Sequence, residues 1–204
     1  MNRTFMYYLI AGIIVFSGCI SVPQSPSARF YEINPMADKE IKPIDLSLDL
    51  FVGVREMKVL SFLNRPQIVT QEKNHQLKFA QFDRWAEPLN EAMTRVIKEN
   101  VAMMLPQARI ISYPSDLPLS LAFRVEMEMT RFEIDLSSEL LLIVQWSVLD
   151  VKFPRNSIIQ RSELRVPLKS NDYAGAVDAL STACATLSQQ IAHGISQIVK
   201  RPNP

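Results

Sequence analysis

The sequence predicts a mixed α/β fold, α+β in character, with a mixed sheet, a C-terminal antiparallel meander and two long helices. Two observations lead to this prediction. In several short segments apolar residues alternate with polar ones, which is the pattern of half-buried strands. In two longer segments, 86–105 and 173–198, apolar residues recur every three or four positions, the spacing of an amphipathic helix. We place all of these elements in one domain over residues 29–200.

Residues 1–18 have the composition of a secretory signal peptide. Arg3 is the only charge before position 29, and a largely apolar run follows it from Phe5 to Phe16. This run is too short for a bilayer-spanning helix, which needs roughly 20 apolar residues. We therefore expect residues 1–18 to direct export.

The end of this segment, Val15-Phe16-Ser17-Gly18-Cys19, resembles the lipobox of bacterial lipoproteins. Phe16 stands where Leu is commoner. The resemblance implies cleavage after Gly18 and acylation of the Cys19 thiol. Ile20 follows Cys19 where an inner-membrane lipoprotein has Asp, which implies transfer to the outer membrane. The alternative is an uncleaved N-terminal anchor in which Cys19 is incidental.

Residues 19–28 form the lipidated cysteine and a polar tether that Pro23 and Pro26 interrupt. Fully extended, the tether reaches about 25–30 Å. Acylation of Cys19 leaves Cys184 without a disulfide partner. We expect Cys184 to be buried as a small apolar residue.

The first strands follow the tether directly. Residues 29–33 predict a short strand, and the alternation over 46–55 predicts a half-buried one. Segments 67–70 and 77–80 predict a hairpin across the turn at 72–75.

The first helix, over 86–105, ends before Pro106. Its methionines are interpreted as core residues. Segments 118–132, 139–151 and 157–168 predict three strands, and their short connections make them an antiparallel meander. The middle segment is apolar on both faces, as expected of a central strand covered on both sides.

Asn171 or Asp172 can cap the last helix, whose apolar residues recur at nearly heptad spacing. We favour packing of this helix across the sheet. Self-association through the seam, giving a homo-oligomer, is the alternative.

The composition excludes several functions. The chain has 22 Lys and Arg against 21 Asp and Glu, a net charge of +1. This balance argues against sequence-independent nucleic-acid binding and against a polybasic membrane contact. The five glycines are scattered, so the chain lacks a phosphate-binding loop, and we expect no cofactor.

No residue pattern indicates an enzyme. His75 falls in a predicted turn and His193 late in the last helix, and neither has partners at metal-ligand spacing. Glu126 and Glu128 share one strand face, where carboxylates are ordinarily solvated. A G-x-S-x-G motif is absent. We expect no catalytic residue and no metal site, and an envelope hydrolase is the disfavoured reading.

Two segments carry a family resemblance. Leu63–Val69 reads Leu-Asn-Arg-Pro-Gln-Ile-Val, and Phe82–Leu89 reads Phe-Asp-Arg-Trp-Ala-Glu-Pro-Leu. In order and spacing, together with Leu105-Pro106, they resemble the ABC-type transport auxiliary lipoproteins, the PqiC/YmbA-like family. Asn64 departs from the Asp that is frequent in that family.

The resemblance implies a non-enzymatic lipoprotein on the periplasmic face of the outer membrane, where it supports envelope integrity. Its implied partners are a periplasm-spanning MCE-domain protein and the inner-membrane component of that system. Such systems move phospholipid or other hydrophobic molecules between the membranes. A stand-alone periplasmic lipid-binding carrier lipoprotein is the alternative function.

Five residues in these segments are candidate partner contacts. Arg65, Pro66 and Gln67 are the leading ones, because proline pre-extends the chain and arginine offers a planar set of donors. The alternative is that they only prepare the following strand. Trp85 and Glu87 are weaker candidates that we expect to position the start of the helix, with Trp85 at least partly buried.

Overall fold

The computed structural model describes residues 26–37, 41–46, 49–72, 74–115 and 119–201. Within them lie the strands β1 (Arg29–Tyr31), β2 (Leu50–Arg55), β3 (Gln67–Gln71), β4 (Leu77–Trp85), β5 (Ala108–Tyr113), β6 (Phe123–Ile134), β7 (Glu139–Asp150) and β8 (Ile158–Pro167), and the helices α1 (Leu89–Met104) and α2 (Tyr173–Val199). The predicted mixed α/β class is confirmed. The predicted cleavage site at Gly18 and lipidation site at Cys19 lie outside the described residues.

The strands form two sheets rather than the single sheet that was expected. A small sheet has the order β1-β4-β3, with β1 parallel and β3 antiparallel to β4. A large sheet has the order β5-β2-β6-β7-β8. In it β2 runs parallel to both β5 and β6, while β6, β7 and β8 form the predicted antiparallel meander.

Two details of the first half differ from the sequence prediction. The alternation from residue 46 suggested a longer strand, but β2 begins at Leu50, and Leu46 is buried outside it. Strand β5 was not predicted at all. It is a six-residue edge strand that, among the described residues, pairs with the distant β2, and its side chains are mostly half-exposed or exposed. Local periodicity is therefore weak there.

Helix α2 packs its heptad-like seam into the core. Val177, Leu180, Cys184, Leu187 and Ile191 are at most 5% exposed, and the helix contacts α1, β7 and β8. Packing across the sheet is thus confirmed, and this seam is not available for self-association. Burial raises the pKa of the Cys184 thiol to about 12, so the group stays neutral as a small apolar residue.

Strand β7 is covered on both faces over its first half, as predicted. Leu141 and Ile143 are 3% and 4% exposed on the face away from the helices. On the neighbouring strands Arg165 is opposite Leu141 and Arg131 is opposite Ile143. Further along β7, Gln145 is exposed, so the cover ends there.

The start of α2 is capped by Asp172, one of the two predicted caps. Its carboxylate accepts a hydrogen bond of 2.8 Å from the backbone N–H of Gly175. The bond satisfies one of the unpaired donors of the first turn. Position 175 lies so close to the loop before the helix that a Cβ there would collide with the backbone carbonyl of Ser170.

Gly175→Ala is therefore expected to lower the free energy of unfolding by about 1–3 kcal/mol, because the cap must shift to admit the methyl group. In an open helix the same change stabilises by about 1 kcal/mol, so the sign is diagnostic. Gly194→Ala is the control: its Cβ would meet the Trp146 ring at 3.3 Å, a milder contact. Urea denaturation compares the two variants. A Gly175→Ala protein more stable than the parent would contradict the close approach.

None of the helices in the described part of the chain is both long and apolar enough to span a membrane.

Candidate partner-binding surface

The structure brings together the two segments that the sequence singled out. Arg65 and Pro66 precede β3, Gln67 begins it, and Trp85 ends β4. The backbone N–H of Trp85 donates a hydrogen bond of 2.7 Å to the carbonyl oxygen of Pro66. Glu87 follows Trp85 by two residues, at the approach to α1. All five candidate residues thus lie at one end of the small sheet.

A short 3₁₀ turn presents Arg65 and Pro66 to solvent. The turn, Ser61–Leu63, is held down by Leu63, which is 2% exposed. The N–H of Arg65 donates to the carbonyl of Leu63 at 2.8 Å, and the extended Pro66 then leads into β3. The segment therefore prepares the strand, while the side chains of Arg65 and Pro66 remain exposed.

The guanidinium of Arg65 is held against an aromatic ring. Its Cζ lies 4.2 Å from the centroid of the Phe79 ring, a cation–π geometry. None of the ion pairs between described residues involves Arg65. A flat cation held in this way offers the edge of its guanidinium to an acceptor on another molecule.

An exposed aromatic side chain lies in the same sheet. Phe30 of β1, Arg84 of β4 and Gln67 of β3 are in register, so their side chains share one face. Phe30 is 64% exposed, which is unusual for a phenylalanine. We call Phe30, Arg65, Pro66 and Gln67 the small-sheet surface.

Trp85 does not belong to this surface. Its side chain is 4% exposed and lies in the hydrophobic core. A partner could reach it only if the domain opened. Trp85 was expected to be at least partly buried, and it is almost completely buried. We therefore assign it a structural role rather than a partner contact.

Glu87 joins an ion-pair network around Arg95 of α1. One carboxylate oxygen of Glu87 lies 2.6 Å from Nη2 and 3.0 Å from Nε of Arg95. The same guanidinium reaches Glu32 at 3.0 Å. Hydrogen bonding to Glu87 is the main cause that raises the pKa of Arg95. Glu87 is therefore bound to α1 through Arg95, and Arg95 in turn binds Glu32 in the segment after β1. This arrangement agrees with the expectation that Glu87 positions the start of the helix.

A buried carboxylate that the sequence did not indicate joins β1 to β4. Asp83 is 4% exposed and accepts hydrogen bonds from Arg29 at 2.8 and 3.0 Å and from the Tyr31 hydroxyl at 2.9 Å. Burial, followed by the bond to Asp83, raises the pKa of Tyr31. In the sequence, the only indication of a role for Asp83 is its position within Phe82–Leu89, the second segment that resembles the family.

The described residues contain no group of three or more His, Cys, Asp or Glu side chains arranged to hold a metal ion. His75 is exposed in the β3–β4 turn with a φ of 65°, and His193 is exposed on α2, with Nδ1 2.9 Å from the Gln189 carbonyl oxygen. Glu126 pairs with Arg55 at 3.3 Å. These carboxylate and imidazole groups have local structural partners.

Two grooves on the described surface have linings that combine charged and apolar side chains. One of about 280 Å³ on the large sheet is bordered by Arg55, Lys58, Glu126 and Glu128. Another, of about 580 Å³ between the β3–β4 turn and the β6–β7 turn, is bordered by Glu72, Lys78 and Asp135. Both linings also include apolar side chains, such as Trp146 and Ile159 in the first groove and Leu136 in the second.

Solved structures define the class of protein by its fold. An uncharacterized protein of known crystal structure has a TM-score of 0.68 and 18% identity over 83% of this chain and 99% of its own. The protein XCC0632 from Xanthomonas campestris, assigned to the family model DUF330, has a TM-score of 0.65 and 13% identity over 84% of this chain and 96% of its own. At these identities the likeness establishes a shared mixed α/β fold.

The family follows from the sequence. The model for the ABC-type transport auxiliary lipoprotein component matches residues 31–192, so the chain belongs to that family. The resemblance of the two segments is thereby confirmed. Membership associates the chain with an ABC-type transport system and with a membrane-anchored place in the cell envelope. No curated protein matches the sequence.

Proposed function

We propose that this protein is an outer-membrane lipoprotein on the periplasmic face, acting as a non-enzymatic adaptor of an MCE-type intermembrane lipid transport system. In this proposal residues 1–18 are removed, acylated Cys19 and the tether 19–28 attach the protein, and residues 29–200 form the domain that binds the partner. The partner is a periplasm-spanning MCE-domain protein whose inner-membrane component completes the system.

The sequence around Cys19 supports the anchor. Small residues before a cysteine, after a short apolar run with one positive charge, agree with the lipoprotein family that matches the rest of the chain. Residues 1–18 carry one charge, Arg3, so the remaining chain has 21 cations and 21 anions. A neutral domain gains little from headgroup charge, so attachment depends on the acyl chains.

The observation that carries the adaptor role is the exposed Arg65–Pro66–Gln67 segment. It is anchored by the backbone bond to Trp85, carries a guanidinium held on Phe79, and shares a sheet face with the exposed Phe30 across β4. Aromatic residues and arginine are the side chains that contribute most at protein interfaces, and a preorganised pair loses less entropy on binding. These features support a protein-binding role for the segment over a catalytic one.

Arg65→Glu is expected to weaken association with the MCE-domain protein roughly tenfold, about 1.4 kcal/mol, because the contact loses a cation and gains a repelling charge. The measurement is co-purification of the acylated protein with the MCE-domain protein from membranes. Circular dichroism spectra of variant and parent should coincide, since Arg65 is exposed.

Arg109→Glu is the matched control. Arg109 is also exposed and also lies over a phenylalanine ring, 5.4 Å from the centroid of Phe51, but it is on β5 of the large sheet. We expect this variant to bind like the parent. Full binding by Arg65→Glu, or equal loss in both variants, would remove Arg65 from the docking contact.

A further inference from the structure

Exposed apolar side chains concentrate on the small sheet. Among the described residues, five large hydrophobic side chains are exposed: Phe30, Leu77, Phe79, Val151 and Ile159. The first three belong to β1 and β4. Val151 follows β7, and Ile159 lies near the start of β8.

The β3–β4 hairpin extends toward the side from which the tether arrives. Because β1 runs parallel to β4 and Arg29 pairs with Asp83, the residues before Arg29 approach from the side on which β4 begins. Strand β3 continues on that side from Gln67, opposite Arg84, to Gln71, opposite Leu77. Four strand steps of about 3.3 Å place Gln71, at the base of the hairpin turn, roughly 13 Å from the level of Phe30.

The position of the hairpin tip relative to the large sheet shows at which end of the molecule the tip lies. Glu72 and Lys78 near the hairpin tip border the same groove as Asp135 of the β6–β7 turn. Pro167 pairs with Glu139 beside that turn, so the start of β8 is at the opposite end. Ile159 lies eight residues from Pro167, roughly 26 Å along the strand. Leu77 and Ile159 are therefore exposed apolar residues at opposite ends.

The tether is short compared with the domain. Residues 19–28 are ten residues, which reach about 25–30 Å even when fully extended. A folded domain of this size is about 40 Å across. Because the chain before Arg29 runs toward the start of β4, the side of the small sheet that carries the hairpin tip is held nearest to the bilayer. This step rests on the acylated Cys19 of the proposed function.

We infer that the tip of the β3–β4 hairpin is a second membrane contact, with Leu77 and Lys78 at the lipid interface beside the tether. Leu77 is 39% exposed, and Lys78, next on the strand, is exposed as well. Lys78 can reach lipid phosphates while Leu77 enters the boundary between headgroups and acyl chains. Glu72 and Asp135 lie nearby, so the matching surface is a zwitterionic, phosphatidylethanolamine-rich bilayer rather than a strongly anionic one.

This contact gives the domain an orientation as well as an attachment. Pro66 and Gln67 lie at the far end of β3 from the hairpin tip. When the tip rests on the bilayer, that end of the small sheet points away from the membrane. The small-sheet surface is then presented to a partner that arrives across the periplasm.

Tryptophan placed at the tip tests the inference. Full-length acylated Leu77→Trp, Ile159→Trp and the parent protein are reconstituted into phosphatidylethanolamine–phosphatidylcholine vesicles whose phosphatidylcholine acyl chains carry bromine. The native Trp85 and Trp146 are 4% and 1% exposed, and they give all three proteins the same background fluorescence. We expect Leu77→Trp emission to shift to the blue and to lose intensity in brominated vesicles, and Ile159→Trp emission to match its emission in unbrominated vesicles.

Flotation of the vesicles distinguishes a failure of the hairpin contact from a failure of the Cys19 anchor. Protein that floats while Leu77→Trp remains unquenched, or is quenched no more than Ile159→Trp, overturns the hairpin contact and leaves the anchor standing. Protein that does not float contradicts the Cys19 anchor, and the hairpin contact falls with it. Failure of the parent protein to co-purify with an MCE-domain protein would contradict the adaptor role alone.

Discussion

Trp85→Ala is expected to lower the free energy of unfolding by about 3–5 kcal/mol. The side chain is 4% exposed in the core and closes the end of β4, where its backbone also bonds to Pro66. Truncation leaves a cavity at the junction of the small sheet and α1, which begins at Leu89 four residues later. The same junction supports the Arg65 segment, so we expect weakened partner binding to accompany the lost stability.

Urea denaturation of the parent and variant measures this loss. Phe30→Ala is the matched control, since it truncates an aromatic residue of the same sheet that is 64% exposed. We expect it to cost less than about 1 kcal/mol. A Trp85→Ala protein that loses less than Phe30→Ala would show that Trp85 does not hold the sheet in place.

Cys19→Ala is expected to abolish acylation and attachment to the outer membrane. Each buried CH₂ of an acyl chain contributes about 0.8 kcal/mol, so loss of the acyl chains removes the free energy of that attachment. The variant should lose palmitate labelling and leave the outer-membrane fraction. Fractionation of labelled cells on a density gradient measures both effects.

Cys184→Ala is the control for the labelling experiment. The Cys184 thiol is fully buried with a pKa raised to about 12, so it is neither accessible nor ionised. We expect this variant to label like the parent. A Cys19→Ala protein that still incorporates palmitate would contradict the lipid anchor.

Much of the fold was predictable because most elements carry their own periodic signal. Helix α2 and strands β6 and β7 are long, and their buried residues follow helical or strand spacing. The cap at Asp172 was predictable because its chemistry is local. The hairpin of β3 and β4 was found for the same reason.

The parts that were missed depend on distant residues. Strand β5 pairs with β2, more than fifty positions earlier, and its own pattern is weak. The split into two sheets depends on β1 joining β4, and no local pattern distinguishes that pairing from a continuation of the large sheet. Long-range parallel pairing of this kind has no signature within either strand.

The candidate surface was predictable in part for a different reason. The family resemblance indicated Arg65, Pro66 and Gln67, and the structure exposes Arg65 and Pro66. The contact of Arg65 with Phe79 and the bonds of Asp83 required three-dimensional proximity. Burial of Trp85 followed the general tendency of tryptophan, but its depth depends on how the small sheet packs near α1.

Site-specific crosslinking at position 65 tests the proposed adaptor most directly. A photoreactive residue is placed at position 65, and a second variant carries it at position 161, an exposed arginine of β8. Both proteins are illuminated in intact cells. We predict a crosslink from position 65 to an MCE-domain protein, recovered with the outer membrane, and none from position 161. Absence of that crosslink at position 65, or an equal yield from both positions, would contradict docking through the small-sheet surface.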